Sequence, residues 1–431
     1  MPSLQVITLG CSKNTVDTEH LLAQVDGVYD IVPADFDGKV DVLLINTCGF
    51  IGDAKEESIQ TILEQVQSAR AGKVYVFGCL SQRYADSLPG LIPEVDGWFG
   101  AREIDPVLKA LGVEPDRSKD TVRHFPGSSY AFLKISEGCD RRCSYCAIPY
   151  IRGAHRSVPM ELLVKEAEGL AAKGVKELVV IAQDTTFYGL DLYGKRCLAA
   201  LLHKLSQVDG IEWIRLHYSY PAGFPEDVLD EMASNPKICK YMDIPLQHVS
   251  DKVLENMHRG VDGQWTRELI RKMRSRVKGI VLRTTMIVGH PGEGKKDFEE
   301  LLDFVREARF ERLGAFTYSE EEGTWGARNL KDSIPSRTKA ERLSRLMYLQ
   351  GGISLEFNRS RIGSTERVLV DSLSSGVYVC RSQWESPEVD GEILLHYDKA
   401  MGPDPQALVG QFVNVRITGA DEYDLIAEYI N

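Results

Sequence analysis

Three cysteines stand close together in the stretch EGCDRRCSYC, residues 137 to 146. Cys139, Cys143 and Cys146 are spaced four and three residues apart. A structural zinc site takes four ligands, usually as two separated pairs. Thiolates also suit iron-sulfur clusters, and three of them on a four-iron cluster leave one iron without a protein ligand. The spacing therefore predicts a [4Fe-4S] cluster whose open iron binds a small molecule.

A zinc site is the alternative for the same loop. It would need a fourth ligand, such as His155 or His217, to close the tetrahedron. Tyr145 immediately before the last cysteine favours the cluster, as does the position of the loop after a predicted barrel strand.

A second group of cysteines is spread over the first ~120 residues. The apolar segments LQVITL, VDVLLI and KVYVF alternate with helical segments and end just before Cys11, Cys48 and Cys79. This alternation predicts a parallel α/β sheet, whose strands end at one ligand-binding edge. We expect the three thiols to converge there, although isolated cysteines often only pack as small hydrophobes. Asp53 and Glu56 have the spacing of a helix N-cap and its N3 carboxylate.

Six more strand-helix units follow from about residue 130. The predicted strands are YAFLKIS, ELVVIAQD, WIRLHYS, YMDIPLQH, IVLRTTMIVG and RLGAFTYS. Six units predict a partial (β/α)6 barrel with the cysteine loop after its first strand, because a complete barrel has eight. The missing units would leave a gap in the wall, through which a macromolecular substrate could present a side chain.

The last ~70 residues change to short strands separated by turns, which predicts a small antiparallel β-barrel. Residues 360–431 hold five Arg or Lys against twelve Asp or Glu. An RNA-binding module should carry a basic stripe, so we expect a basic protein as partner and no strong nucleic-acid binding. The expected domains are residues 1–122, 125–356 and 358–431.

Composition limits the number of domains, the redox compartment and the presence of a membrane segment. A chain of 431 residues with 43% apolar residues and a net charge of -12 is typical of a globular protein of two or three domains. Nine cysteines, an odd number, favour a reducing compartment. No apolar run approaches the roughly 20 residues that span a bilayer. We expect a cytoplasmic protein without a membrane segment.

At this point the sequence resembles a known family. CDRRCSYC at 139–146 is similar to the motif of radical S-adenosylmethionine (SAM) enzymes. The GC, NTC and GC stretches that end at Cys11, Cys48 and Cys79 are similar to the amino-terminal domain of the methylthiotransferases. The likeness covers essentially the whole chain, and the final barrel resembles a TRAM domain.

The resemblance implies two [4Fe-4S] clusters. The cluster on Cys139, Cys143 and Cys146 would bind SAM at its open iron, and the cluster on Cys11, Cys48 and Cys79 would carry the sulfur to be transferred. An electron passed into SAM would yield a 5′-deoxyadenosyl radical that takes hydrogen from the substrate. The implied partners include an electron donor, such as a flavodoxin or ferredoxin, and a sulfur donor.

Three further residues are predicted to contact the cofactor. Tyr145 belongs to the cysteine loop, and Gln183 and Gln247 stand at predicted strand ends. Basic residues around the loop, Arg152 among them, are expected to be solvated.

Three stretches favour one branch of the methylthiotransferases. GCSKN at 10–14, IAQDTTFYG at 181–189 and YSEEEGT at 318–324 resemble the RimO family, which modifies the β-carbon of an aspartate in small-subunit ribosomal protein twelve. Asp184 and the run Glu320 to Glu322 are then expected to meet the basic partner, although acidic residues at a loop tip are usually only solvated. Two alternatives stay open: methylthiolation of a tRNA adenosine, and a noncatalytic iron-sulfur scaffold that binds ribosomes.

Overall fold

A computed structural model describes residues 1–102, 104–398 and 404–430. It contains a parallel five-stranded sheet, a parallel six-stranded sheet and a closed five-stranded barrel, in that order along the chain. The predicted fold class is confirmed.

The amino-terminal sheet has the strand order β2-β1-β3-β4-β5, with all neighbours parallel. Its strands are β1 (Ser3–Thr8), β2 (Asp30–Val32), β3 (Val40–Thr47), β4 (Ala71–Gly78) and β5 (Gly97–Trp98). Its helices are α1 (Ser12–Val25), α2 (Gly52–Ser68), α3 (Cys79–Arg83), α4 (Leu88–Leu91) and α5 (Asp105–Ala110). The register pairs Thr8 with Asn46 and Thr47 with Gly78, so β1, β3 and β4 end side by side.

The start of α2 differs from the prediction. The N-cap position is Ile51, which offers no side-chain hydrogen bond, so Asp53 is not the cap. Instead, the Gly52 N–H donates to Glu321 Oε1 at 3.1 Å. A helix start needs acceptors for its free N–H groups, and here a distant carboxylate provides one.

The middle sheet has the order β6-β9-β10-β11-β12-β13, which is the order of all six predicted strands. The strands are β6 (Tyr130–Lys134), β9 (Glu177–Ile181), β10 (Trp213–Leu216), β11 (Ile238–Asp243), β12 (Val281–Val288) and β13 (Arg312–Thr317). A small hairpin, β7 (Ser136–Glu137) with β8 (Arg156–Ser157), follows the first strand. Because β6 and β13 are edges and do not pair, the barrel wall is open.

Helices cover the outer face of this sheet. The helices of this part of the chain are α6 (Ile148–Ile151), α7 (Met160–Ala172), α8 (Leu190–Tyr193), α9 (Leu198–Ser206), α10 (Asp227–Ser234), α11 (Asp251–Asn256), α12 (Gly263–Arg276), α13 (Lys295–Ala308), α14 (Trp325–Asn329) and α15 (Ser336–Ser360). Of these, α7, α9, α10, α12, α13 and α15 pack on the sheet. The largest apolar cluster lies between these helices and the sheet and includes Leu178, Ile214 and Leu282. The inner face of the sheet is left for other parts of the chain to cover.

The carboxy-terminal barrel closes in the order β14-β15-β16-β18-β17. Its strands are β14 (Thr365–Ser374), β15 (Val377–Arg381), β16 (Ile393–His396), β17 (Phe412–Ala420) and β18 (Leu425–Tyr429). The barrel is antiparallel except where β16 pairs with β18. The loop between β15 and β16 reaches the inner face of the six-stranded sheet, where the Tyr241 hydroxyl donates to Asp390 at 2.6 Å. Trp213, Trp384 and Phe412 pack together in the same interface.

Buried ion pairs hold this interface. Glu177 lies between two guanidinium groups, with Arg215 at 2.6 Å and Arg381 at 2.7 Å. Glu385 likewise lies between Arg361 and Arg312. All six side chains are almost fully buried, so removal of either glutamate leaves an uncompensated charge in the interior.

The amino-terminal sheet covers the other end of the inner face. Val16 of α1 packs on Phe132, Val179 and Ile181. Within the described residues, no helix is both long enough and apolar enough to cross a membrane.

We expect Glu385→Ala to lower the free energy of unfolding by about 3–5 kcal/mol, because Arg312 would stay buried without a counter-charge and Arg361 would keep only Glu366. Chemical denaturation would measure the loss, with Glu428→Gln on the exposed face of β18 as the control. Burial opposes ionisation of Glu385, but the two arginines hold its pKa far below the usual range. Its stabilising effect is therefore complete above the unfolded pKa of about 4.3 and declines as the pH falls below it. An Ala variant as stable as the control would contradict this role.

Candidate functional site

The loop with Cys139, Cys143 and Cys146 lies between β7 and α6 and is fixed by backbone hydrogen bonds. The Cys139 N–H donates to the Gly153 carbonyl at 3.0 Å, and the Cys146 N–H donates to the Cys143 carbonyl at 3.1 Å. All three cysteines are free and partly buried. Their backbone is thus held by the protein, and each residue keeps part of its surface accessible.

Hydrogen-bond donors surround these sulfurs. The Arg141 N–H donates to Cys139 Sγ at 3.4 Å, and Arg259 Nη1 donates to Cys143 Sγ at 3.3 Å. Arg259 is 4% exposed and stacks on Tyr220, and no described carboxylate lies within salt-bridge distance of it. A buried guanidinium needs an anionic partner, so this environment fits a thiolate-bound cluster.

Without a metal, Cys139 and Cys146 would keep their protons. Burial raises the pKa of Cys139 to about 12, and it raises the pKa of Cys146 still further, with Cys143 as the next largest cause. Because a coordinated metal deprotonates a thiol outright, these thiols would become charged on binding a cluster.

The second triplet follows the adjacent strands β1, β3 and β4. Cys11 is exposed, whereas Cys48 and Cys79 are buried. Gly10 has a φ of +94°, and a Cβ there would come within 2.7 Å of the Cys48 Cβ, so only glycine lets these two strand ends approach so closely. Strand topology therefore brings the three cysteines to one edge.

Arg152 joins the two triplets. It follows α6 and is 4% exposed, and its Nε donates to Cys79 Sγ at 3.2 Å. The same guanidinium donates to Asn14 at 2.5 Å and to Asp17 at 2.7 Å. The next residue, Gly153, accepts the backbone hydrogen bond from Cys139. One short segment thus touches both cysteine groups.

The geometry does not fit a single metal ion. In residues 1–102, 104–398 and 404–430, no three His, Cys, Asp or Glu side chains are grouped to hold one. The two histidines considered for zinc have other partners, since His155 shares a hydrogen bond with Ser157 and His217 shares one with Ser386. A four-iron cluster is larger and binds each thiolate at a different iron, so it suits this wider spacing.

The three residues predicted to contact the cofactor have different surroundings. Tyr145 lies beside its cysteines, and its hydroxyl accepts from Arg259 at 3.3 Å. Gln183 donates to Glu137 at 2.7 Å, while its Oε1 is buried and unpartnered. Gln247 adopts a φ of +73° and has no side-chain hydrogen bond to any described residue. The Gln183 Oε1 atom and the Gln247 side-chain amide are therefore available to bind a ligand.

Some expectations for the charged residues are wrong. Glu321 is 3% exposed and pairs with Lys55 and Arg83 at 2.9 Å each, so it fixes the amino-terminal domain instead of meeting a partner. Asp184 is 1% exposed and pairs with Arg141.

Arg152, expected to be solvated, is buried. Two other buried cations, Lys13 and Arg259, were not singled out in the sequence. Their importance lies in contacts across the fold, and nothing in their immediate neighbours in sequence signals it.

Family models match three parts of the chain. Residues 133–305 match the radical SAM superfamily, residues 362–430 match a TRAM domain, and residues 3–100 match the uncharacterized protein family UPF0004. A solved radical SAM methyltransferase, TsrM from Kitasatospora setae, has a TM-score of 0.56 at 13% identity, covering 94% of this chain and 86% of its own. At that identity the likeness concerns the fold.

Comparison of sequences finds relatives whose identity to this chain is much higher. The ribosomal protein uS12 methylthiotransferase RimO of Cytophaga hutchinsonii is 49% identical over 99% of this chain and 98% of its own. The proteins of the same name from Porphyromonas gingivalis and Bacteroides fragilis (strain ATCC 25285) are 49% and 47% identical, with 99% of both chains covered in each case.

The fold and the cysteine loop define this protein as a radical SAM enzyme. Enzymes of this class use SAM and a [4Fe-4S] cluster. Within this class the chain belongs to the RimO family, and it is a transferase of sulfur-containing groups.

We expect Glu321→Gln to loosen the amino-terminal domain, because Lys55 and Arg83 lose their shared counter-charge. Limited proteolysis of the segment between α5 and β6 should then become faster. Glu320→Gln is a matched control, since Glu320 is the exposed neighbour and has no hydrogen bond or ion pair to any described residue. Equal cleavage rates in the two variants would refute the role of Glu321.

Proposed function

We propose that this enzyme adds a methylthio group to the β-carbon of an aspartate in ribosomal protein uS12. The observation that carries the proposal is the approach of two cysteine triplets through one residue, Arg152, which contacts Cys79 directly and the Cys139 loop through Gly153. The names of the relatives support the choice of substrate. A reaction that joins a carbon radical to sulfur needs both centres at one cavity.

Each triplet is assigned one [4Fe-4S] cluster in this proposal. Cys139, Cys143 and Cys146 would hold the cluster that binds SAM, and Tyr145, Gln183 and Gln247 would contact this cofactor. Cys11, Cys48 and Cys79 would hold the second cluster. When bound, these groups supply the radical chemistry and the sulfur for transfer.

The residues of the chain bind, orient and exclude water. Arg259 and Arg152 each place a guanidinium against one cysteine sulfur, where it would stabilise the negative charge of a bound cluster. The fit of α1 over the inner sheet face keeps water from that end of the barrel, since Val16 there is fully buried. A dry site protects a reactive radical from side reactions.

The acidic charge of the chain supports a basic protein substrate. The net charge is -12, and the carboxy-terminal barrel holds most of its charged residues as Asp or Glu. Complementary charge speeds encounter and rejects partners of the same sign, such as RNA. An electron donor of the flavodoxin or ferredoxin type and a sulfur donor complete the proposed partners, and we place the reaction in the cytoplasm. The proposed domain bounds are those expected from the sequence.

We expect about eight irons per chain after anaerobic reconstitution, because each cluster of this type holds four. Replacement of Cys139, Cys143 and Cys146 together by Ala should leave about four, held by the other triplet. Iron and sulfide analysis would measure both. As a control, Cys380→Ala removes a buried packing cysteine of the carboxy-terminal barrel and should keep the full iron content. A triple variant with undiminished iron would refute the assignment.

Substrate identity is tested in cells. In a deletion strain, mass spectrometry should find uS12 without its methylthio group, and the gene carried on a plasmid should restore it. Normal uS12 together with tRNA lacking a methylthio group would favour the tRNA alternative. If uS12 and tRNA both keep their methylthio groups, and the protein produces no 5′-deoxyadenosine in vitro, the noncatalytic iron-sulfur scaffold would be favoured.

A further inference from the structure

Lys13 is a buried cation without a carboxylate partner. It lies in the first turn of α1 and is 7% exposed, and its Nζ is 3.1 Å from the centre of the Tyr218 ring. No carboxylate among the described residues lies within 4.0 Å of this ammonium group. Burial of an unpaired charge is costly, so such a group suggests a missing anionic ligand.

The acidic side chain beside Tyr218 is already occupied. Asp243, at the end of β11, accepts from Arg283 at 2.8 Å and from the Tyr218 N–H at 2.9 Å. His217 contributes no negative charge, and burial lowers its pKa to about 3, so it is neutral at physiological pH. The aromatic ring of Tyr218 is therefore the main partner of Lys13, and it leaves the charge uncompensated.

The position of Lys13 is informative. It stands two residues after Cys11 at the start of a 14-residue helix, whose positive end reinforces the attraction for an anion. Opposite it, Tyr218 follows the carboxyl end of β10, on the side of the barrel that bears the Cys139 loop. The Tyr218 backbone has a φ of +57°, which costs energy in a residue other than glycine and persists only where its surroundings enforce it.

We propose that Lys13 binds the side-chain carboxylate of the substrate aspartate. This inference rests on the proposed function, in which the reacting β-carbon is the neighbour of that carboxylate. One ion pair would thus both select aspartate and place its β-carbon at the edge where the two cysteine groups face each other. An asparagine, which has the same shape but no charge, would leave the ammonium uncompensated.

The test compares two peptides on reconstituted holoenzyme under anaerobic conditions. Both carry the uS12 segment, one with the target aspartate and one with asparagine in its place, and anisotropy measures binding. The wild-type enzyme should bind the aspartate peptide roughly ten- to hundredfold more tightly, the worth of a hydrogen bond to a charged group. Lys13→Met should bind both peptides alike, whereas Lys13→Arg should retain a preference for aspartate.

Controls separate recognition from folding. Lys39→Met removes an exposed lysine of the same domain and should keep the wild-type ratio. A Lys13→Met enzyme that also keeps this ratio would overturn the inference, as would a variant that weakens both peptides equally. If Lys13→Met does not fold, Lys13→Gln makes the same comparison. If the wild-type enzyme modifies no aspartate in uS12, the proposed function is wrong, and the inference that Lys13 binds the substrate carboxylate is wrong with it.

Discussion

The inner face of the open six-stranded sheet must be covered, and most of the structure follows from how this is done. At one end the face carries the ion pair of Glu177 and Arg215. Arg381 of the carboxy-terminal barrel also pairs with Glu177, so the three side chains form a buried ion network. At the other end it is apolar and is covered by Val16 of the amino-terminal domain. A sheet of six strands cannot close on itself here, so it uses both neighbouring domains as parts of its own core.

This arrangement explains why the two cysteine groups meet. The same helix that covers the inner face, α1, begins directly after Cys11, so covering the sheet also brings the amino-terminal strand ends to the barrel. Each group then acquires one buried guanidinium against a sulfur, from Arg152 for Cys79 and from Arg259 for Cys143. In the proposed function, positive charge at the sulfurs would offset the negative charge that cluster-bound thiolates would bring into a poorly solvated site.

The strands and cysteine positions could be predicted because they depend on short-range patterns. Apolar runs give the parallel strands, and topology then places the cysteines that follow them at one edge. The buried charges could not be predicted in this way. Arg152 contacts Asn14 across 138 residues of sequence, and Glu321 caps Gly52 across 269. Acidic and basic residues in polar stretches resemble solvated loops until the fold brings their partners to them.

The closed barrel at the end of the chain also has a consequence for biosynthesis. Strand β18, which ends at Tyr429, pairs with β16 and β17 to complete that barrel. Synthesis proceeds from the amino terminus, so Glu177 and Arg215 are made long before Arg381 arrives. The central unit therefore reaches its final packing only after the residues of the carboxy-terminal barrel have been made, and until then a nascent chain would expose this charged surface to chaperones.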